Sequence, residues 1–150
     1  MTQRILLNPP INEVQQALNW KNLIDGIQQR EFDPFYGTTP LAAGFTDVGT
    51  YWGYYFLFGP IVHFSITLLN SGGTSVRWTA GSAMQIPYQA ATRGTNLLES
   101  HKNFPATERQ HPGVVQDWFY IQSTTIVSAG GHTGAGASDD TNISGWYFRE

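Results

Sequence analysis

The 150-residue sequence contains no cysteine and few charged residues. Without cysteine there is neither a disulfide nor a thiolate metal site. Asp, Glu, Lys and Arg make up 13% of the chain, well below the roughly 25% that is typical of soluble domains. Such a chain must cover its surface with neutral polar residues or bury much of it against other subunits. The shortage of charge favours an assembly component over a free enzyme.

Basic clusters and long apolar runs are also missing. The net charge is −3 and no block of Lys and Arg occurs, so we expect no phosphate-binding surface and no nucleic-acid partner. The start, MTQRILLNPP, holds three consecutive apolar residues, whereas a signal peptide needs about seven or more. No apolar run approaches the roughly 20 residues of a membrane span. We therefore expect a soluble protein with no membrane partner that is not secreted by the classical route.

The clearest pattern is a β-hairpin between residues 49 and 69. Successive side chains of a strand face opposite sides of a sheet, and here apolar residues alternate with mostly polar ones: Val62, Phe64, Ile66 and Leu68 against Ile61, His63, Ser65 and Thr67. The preceding aromatic run, Tyr51 to Phe58, has the propensity of a second strand. Phe58-Gly59-Pro60 is a plausible tight turn between the two.

A helix is predicted near the N-terminus. Asn8 followed by Pro9 is a typical helix start, and residues 11–30 are rich in helix-forming residues. The apolar residues lie on two roughly opposite faces, so this segment needs two partners or bends near Asn19: Ile11, Val14 and Leu18 against Trp20, Leu23, Ile24 and Ile27. Two interpretations stay open, a helix that closes one end of a β domain and a helical base that packs against symmetry mates or a larger particle.

The rest of the chain reads as short strands separated by turn signals. Residues 32–48 form a connector, so the predicted division is an N-terminal arm and helix over 1–35 and a β domain over 36–150. Further strands are predicted near 76–80, 82–89, 114–127 and 142–148, with Met84 and Ile86 on one face of their strand and Pro87 at a strand end or sheet edge. Residues 90–113 are predicted as a long loop with short extended pieces, and residues 129–141 as a glycine-rich loop. This pattern predicts an all-β fold, a jelly-roll-like β-sandwich preceded by the arm and helix.

No catalytic, metal-binding or cofactor-binding motif is found. No metal-binding spacing links the four histidines, His63, His101, His111 and His132. Asp139-Asp140 could hold Ca²⁺ but lacks the interleaved carboxylates of a dedicated calcium loop. Asp117 could pair with Glu99 or Glu108 as in a glycosidase, although nothing in the sequence favours such a pair. We predict no catalytic residue, no metal and no cofactor.

Aromatic residues are in surplus. The core of two packed sheets uses one face of each strand, so Tyr51 and Tyr55 cannot be internal together with Trp52 and Tyr54. Outward aromatics suit a subunit interface or a stacking platform for a sugar. The candidate subunit-interface residues are Tyr51, Tyr55, Ile61 and His63, and the candidate glycan-stacking residues, which lie near loops, are Trp78 and Trp118.

Four segments carry a family resemblance: Gly49 to Phe58, Gly59 to Leu68, Met84 to Ala91, and Ile143 to Tyr147. Together they resemble a recurrent β domain of tailed-bacteriophage virion proteins, with a Gly-Tyr-aromatic strand, a glycine turn, an alternating strand, a Pro-Tyr strand end and a final I-S-G-W-Y. Pro60 directly after Gly59 departs from the family's turn. The resemblance implies a trimeric jelly roll on the virion: a capsid decoration (cement) protein, a head or tail fibre, or a receptor binder.

The leading hypothesis is therefore a virion structural protein, made in the host cytoplasm, that forms a homotrimer and projects a β knob. Its N-terminal segment would bind the major capsid protein or other virion subunits, with these candidate docking residues: Ile5, Leu6, Leu7, Ile11, Val14 and Leu18. A host-surface glycan is a further possible partner. The alternatives are a carbohydrate- or receptor-binding tip domain and an enzyme acting on polysaccharide.

Overall fold

The computed structural model describes residues 13–93, 96–97, 102–110, 114–133 and 140–150. Within these residues one helix precedes a series of antiparallel strands. The elements are α1 (Glu13–Ile27), β1 (Arg30–Phe32), β2 (Phe45–Thr46), β3 (Val48–Phe58), β4 (Ile61–Asn70), β5 (Arg77–Thr79), β6 (Ala83–Gln85), β7 (Thr92–Arg93), β8 (Asn96–Leu97), β9 (Asn103–Glu108), β10 (Val115–Gln122), β11 (Thr125–Ser128), β12 (Gly131–His132) and β13 (Thr141–Phe148). The all-β prediction is confirmed.

Most strands belong to one curled antiparallel sheet. It has eight strands in the order β1-β3-β4-β13-β9-β10-β11-β6, and a three-stranded sheet has the order β12-β5-β2. The curl brings the edges of the large sheet together, because the Gln85 N–H of β6 donates to the carbonyl of Pro34, just after β1, at 2.8 Å. The small sheet packs on the inner side of the large one. Phe45 and Trp78 place their ring centroids 6.3 and 5.8 Å from that of Phe119 in β10.

The predicted hairpin is confirmed as β3 and β4. Phe58 pairs with Ile61 across the two-residue turn Gly59-Pro60. Gly59 has φ +56°, which suits the first central position of a type II′ turn and explains why glycine is needed there. The four predicted inward residues of β4 are all buried: Val62, Phe64, Ile66 and Leu68.

The final strand and the strand around Met84 also lie where the sequence predicts them. β13 pairs with β4 along its whole length, and its inward residues Ile143 and Tyr147 are fully buried. Met84 and Ile86 are buried, and β6 is an edge strand of the large sheet. An edge position is where Pro87, which has no N–H to donate, is tolerated at the end of a strand.

The segment 90–113, predicted as a long loop with short extended pieces, contains strand β9, and its position inside the large sheet was not predicted. This strand lies inside the large sheet, between β13 and β10, and buries Phe104 and Ala106. β9 pairs with β13 only from Ala106 to Glu108, so Pro105 and its missing N–H lie beyond that ladder.

The predicted domain boundary at residue 35 lies too late in the chain. β1 pairs with β3 from Arg30 to Phe32, and Phe35 is 1% exposed in the main core. Residues 30–35 therefore belong to the β domain. α1 is one continuous helix with no break at Asn19, and it contacts β3. Of the helices described, none is long and apolar enough to cross a membrane.

Gly145 gives the first testable prediction, because a methyl group there would collide with the ring of Phe104. We expect Gly145→Ala to lower the free energy of unfolding by about 3 kcal/mol, since overpacking a tight core is costly. Urea denaturation checks this, with the exposed neighbour Ser144→Ala as a control that costs less than about 0.5 kcal/mol. Adding Phe104→Ala to Gly145→Ala should cost at least about 1 kcal/mol less than the sum of the two single changes. Additive costs would contradict the proposed contact.

Candidate functional site

A buried carboxylate, Asp117, connects β10 to the small sheet. It accepts hydrogen bonds from Trp78 Nε1 at 2.8 Å, from the N–H groups of Gly130 and Gly131 at 3.1 and 3.0 Å, and from the Ser128 hydroxyl. Burial of Asp117 acts to raise its pKa, but the hydrogen bonds from Ser128, Trp78 and backbone N–H groups outweigh burial and hold the pKa below its usual value. These donors indicate a structural role, because they hold the charged carboxylate in place within the protein.

The hydrogen bond from Trp78 Nε1 to Asp117 holds the indole inside the protein, which contradicts the prediction that Trp78 is a glycan-stacking residue. Trp78 is 3% exposed, with its ring against Phe45, Phe119 and His132. A sugar cannot stack on it, so its assignment as a glycan platform is wrong. Trp118 is 48% exposed and remains open to a ligand.

Asp140, the described half of the candidate calcium pair, is also engaged by protein groups. Its carboxylate accepts from the N–H and Nδ2 of Asn70 at 3.0 and 2.9 Å and from Gln110 Nε2 at 3.1 Å, and it pairs with Arg109 at 3.4 Å. Asp139 lies outside the described residues, as does Glu99 of the proposed glycosidase pair. Asp140 thus joins the end of β4 to the segment after β9.

The two histidines with a described position, His63 and His132, are not part of a metal-binding cluster of described residues. His63 is exposed on β4 and His132 packs on Trp78 with ring centroids 4.9 Å apart, while His101 and His111 lie outside the described residues. Among the residues with a described position, no group of three His, Asp or Glu side chains is close enough to hold a metal ion.

The largest unexplained feature is the outer surface of the curled sheet. Outward aromatic side chains of β3 and β13 lie on either side of β4 there, because these three strands are paired in register. Those of β10 lie on the same side of the sheet beyond β9, the strand between β13 and β10. We call this surface the aromatic face and define it by Trp52, Tyr54, Phe56 and Phe58 of β3, Ile61 and His63 of β4, Trp146 and Phe148 of β13, and Trp118 and Tyr120 of β10. Six of these side chains are 37–52% exposed: Phe56, Phe58, Trp118, Tyr120, Trp146 and Phe148.

The register arranges these residues in rows across the sheet. Nearest the hairpin turn, Ile61 of β4 lies between Phe58 and Phe148. In the next row, His63 lies between Phe56 and Trp146. Residues directly opposite each other on one face of an antiparallel pair have Cβ atoms about 5 Å apart. The rows therefore form one continuous surface across β3, β4 and β13.

Charge is nearly absent from this face. No Asp, Glu or Arg is among the outward residues of β3, β4 and β13, and the cation beside them is Lys102, just before β9. Its Nζ lies 2.9 Å from the centroid of the Trp146 ring and 5.5 Å from that of Phe148, and it donates to the Trp146 carbonyl at 3.3 Å. This geometry is a cation–π contact that keeps the lysine against the sheet.

The four predicted interface residues lie on two different sides of the large sheet. Tyr51 and Tyr55 point inward and are partly buried against the core, Tyr51 on Phe35 and Tyr55 on Phe32 and Tyr88. Their neighbours on the other side of β3 face solvent instead. Ile61 and His63 do lie on the outer face, as predicted.

The candidate docking residues are only partly described. Ile5, Leu6, Leu7 and Ile11 lie outside the described residues. Val14 and Leu18 are 70% and 48% exposed on α1, and Trp20 is 64% exposed. These three side chains are therefore accessible to a partner.

Comparisons with protein-family models, with curated proteins and with solved structures each gave no match. The phage resemblance therefore rests on the sequence segments quoted above.

Asp117→Asn tests the buried carboxylate. We expect a loss of about 2–3 kcal/mol at pH 7, because an amide nitrogen replaces an acceptor that faces buried donors. The pKa of Asp117 in the folded protein lies below the value of 3.8 that the group has in the unfolded chain. Such a carboxylate stabilises the fold above the unfolded-state pKa, and this contribution is lost as pH falls through the folded-state pKa. The gap between the variant and the wild type should therefore narrow below about pH 4.

Thermal unfolding measured from pH 2 to 8 checks this prediction. The matched control is Asp47→Asn, which breaks a surface pair with Arg77 and should cost at most about 1 kcal/mol. Asp47 has φ +62°, a conformation that asparagine also tolerates. Equal costs for the two variants would contradict the structural role of Asp117.

Proposed function

We propose that this protein is a structural component of a phage virion, a capsid decoration or fibre protein without enzymatic activity, that associates with copies of itself through the aromatic face. The observation that carries the assembly role is the row of exposed, uncharged aromatic side chains on the outer sheet surface. The virion setting and a stoichiometry of three are supported by the sequence resemblance. The same resemblance supports describing the curled sheet and the small sheet as a jelly-roll-like sandwich.

The size of the face fits a subunit contact. An aromatic side chain presents about 150–250 Å², so six of them at 37–52% exposure leave on the order of 500 Å² of apolar surface in water. That is near the upper end of the roughly 300–600 Å² of the largest patch on a typical monomer. With the adjoining Trp52, Tyr54, Ile61 and His63 it approaches the roughly 800 Å² that each partner contributes to a standard interface.

The charge distribution favours a second copy as the occupant. In a symmetric assembly the same surface meets itself or its neighbour, so a carboxylate-rich face would repel its own copy. The chain carries a net charge of −3, yet β3, β4 and β13 place none of its carboxylates on this face. A partner of different sequence is usually selected by complementary charges, which these strands do not supply.

The N-terminal segment remains the proposed anchor to the major capsid protein or other virion subunits. In α1, Val14 and Leu18 are exposed, and Trp20 adds a third exposed apolar side chain. Two separate apolar surfaces, one on the helix and one on the sheet, suit a protein that binds both its copies and a larger particle.

The second candidate function is glycan binding at a fibre tip. Trp118 and Tyr120 are exposed next to each other on one face of β10, and Asn103, opposite Tyr120, is exposed as well. An aromatic ring beside an amide is a suitable site for a sugar, with one surface for stacking and one group for its hydroxyls.

Solution mass tests the assembly proposal. We expect the full chain to be a trimer by light scattering, and the double variant Phe56→Ser/Trp146→Ser to weaken association at least about a hundredfold, since central aromatic contacts are each worth about 2 kcal/mol or more. Phe56 and Trp146 are 37% and 42% exposed, so circular dichroism should show an intact fold.

Two control variants locate the contact. Tyr36→Ser removes an aromatic that is 79% exposed outside the aromatic face, and Val14→Ser/Leu18→Ser alters the helix; neither should change the mass. A wild-type monomer at millimolar concentration would overturn the assembly proposal. Glycan-array binding that Trp118→Ser abolishes, in a monomeric protein, would establish the second candidate instead.

A further inference from the structure

We propose that protonation of His63 switches off self-association through the aromatic face. This inference rests on the proposed function, because it concerns the regulation of that same surface. It follows from the position of one titratable side chain in the middle of an interface that is otherwise almost uncharged.

His63 lies in the centre of the most aromatic row. It is exposed on β4, with Phe56 on one side and Trp146 on the other. Along β4 its same-face neighbours are Ile61 and Ser65. A copy that covers Phe56 and Trp146 must also cover the imidazole between them.

The charged groups around His63 do not favour a positive imidazolium. β3 and β13, the two strands that pair with β4, present no carboxylate on this face. The cation on the neighbouring Trp146 ring is Lys102, which already occupies that ring. A protonated His63 would therefore add a second positive charge beside the first.

Other charged groups lie on β1 and α1. The outward carboxylate of the sheet on this side is Glu31 of β1, opposite Tyr54. It is two strands and two residues from His63, about 12 Å along the sheet, which exceeds the screening length of about 8 Å at physiological salt. α1 contacts β3, and the charged residues in its sequence are Glu13, Lys21 and Asp25. The other titratable groups on the face are the phenols of Tyr54 and Tyr120.

The direction of the pH effect follows from desolvation. A second copy that covers Phe56 and Trp146 also removes water from the imidazole between them, and this costs far more free energy when the ring is charged than when it is neutral. Histidine is the side chain whose charge ordinarily changes between pH 5 and 8. We therefore expect association to be at least about tenfold weaker at pH 5.5 than at pH 8.

The experiment measures the association constant of the full chain by sedimentation equilibrium between pH 5 and 8. His63→Gln keeps a neutral polar side chain, so it should associate as the wild type does at pH 8 and lose the weakening at pH 5.5. His63→Arg carries a fixed charge and should be weak at every pH. The double variant His101→Gln/His111→Gln controls for histidines elsewhere and should retain the wild-type pH dependence.

The outcomes separate the two proposals. Weakening at low pH that His63→Gln removes supports the switch. A wild-type trimer of equal affinity at pH 5.5 and pH 8, or one whose weakening persists in His63→Gln, overturns the switch and leaves the assembly proposal standing. A chain that is monomeric at both pH values overturns the assembly proposal and the switch together. Circular dichroism at each pH establishes that the subunits stay folded.

Discussion

The hydrogen-bonded ladder between β3 and β4 determines which side of the sheet each of their side chains reaches. It runs from Val48 opposite Asn70 to Phe58 opposite Ile61, and the two-residue turn at Gly59-Pro60 sets its register. A shift of one residue in the pairing of β3 with β4 would move the buried apolar side chains of β4 to the solvent side of the sheet. Because β13 continues the same register on the far side of β4, one ladder creates both the core and the aromatic face. The proposed binding surface is therefore the reverse side of the feature that holds the fold together.

The sequence predicts a strand's orientation only where one of its faces is mostly polar. β4 meets this condition, so its inward residues could be assigned from alternation alone, whereas β13 carries Trp146 and Phe148 on its outer face. β3 has aromatic residues on both faces, and nothing local separates Tyr51 and Tyr55 from Trp52 and Tyr54. The packing of the Phe32 ring against Gly53 decides the matter, since a side chain at Gly53 would collide with that ring. That contact joins residues far apart in sequence, which periodicity cannot detect.

β9 and Asp117 are two further features that depend on contacts between residues far apart in sequence and so could not be predicted from local patterns. β9 buries only Phe104 and Ala106 and contains Pro105, so its sequence resembles a polar loop, and its place in the sheet comes from pairing with β13 and β10. Asp117 interrupts an apolar pattern, and the Trp78 indole that binds it is 39 residues away in sequence. A buried carboxylate is stable only with several such hydrogen-bond donors, and no local sequence motif predicts which residues supply them. The same hydrogen bond explains why Trp78, predicted at the surface, lies in the core.

The sheet's edges support the proposal that this protein associates through a face of the sheet and not through an edge. Open edges of a β-sheet can pair with further chains without limit and so give fibres. Here the two edge strands, β1 and β6, are three residues each, and the curl of the sheet joins them through the Pro34 to Gln85 hydrogen bond. Pairing at an edge would have to break that contact, whereas the aromatic face is already exposed. The proposed contact would give a finite assembly if the copies close around a symmetry axis, because no equivalent surface would then stay open for a further copy.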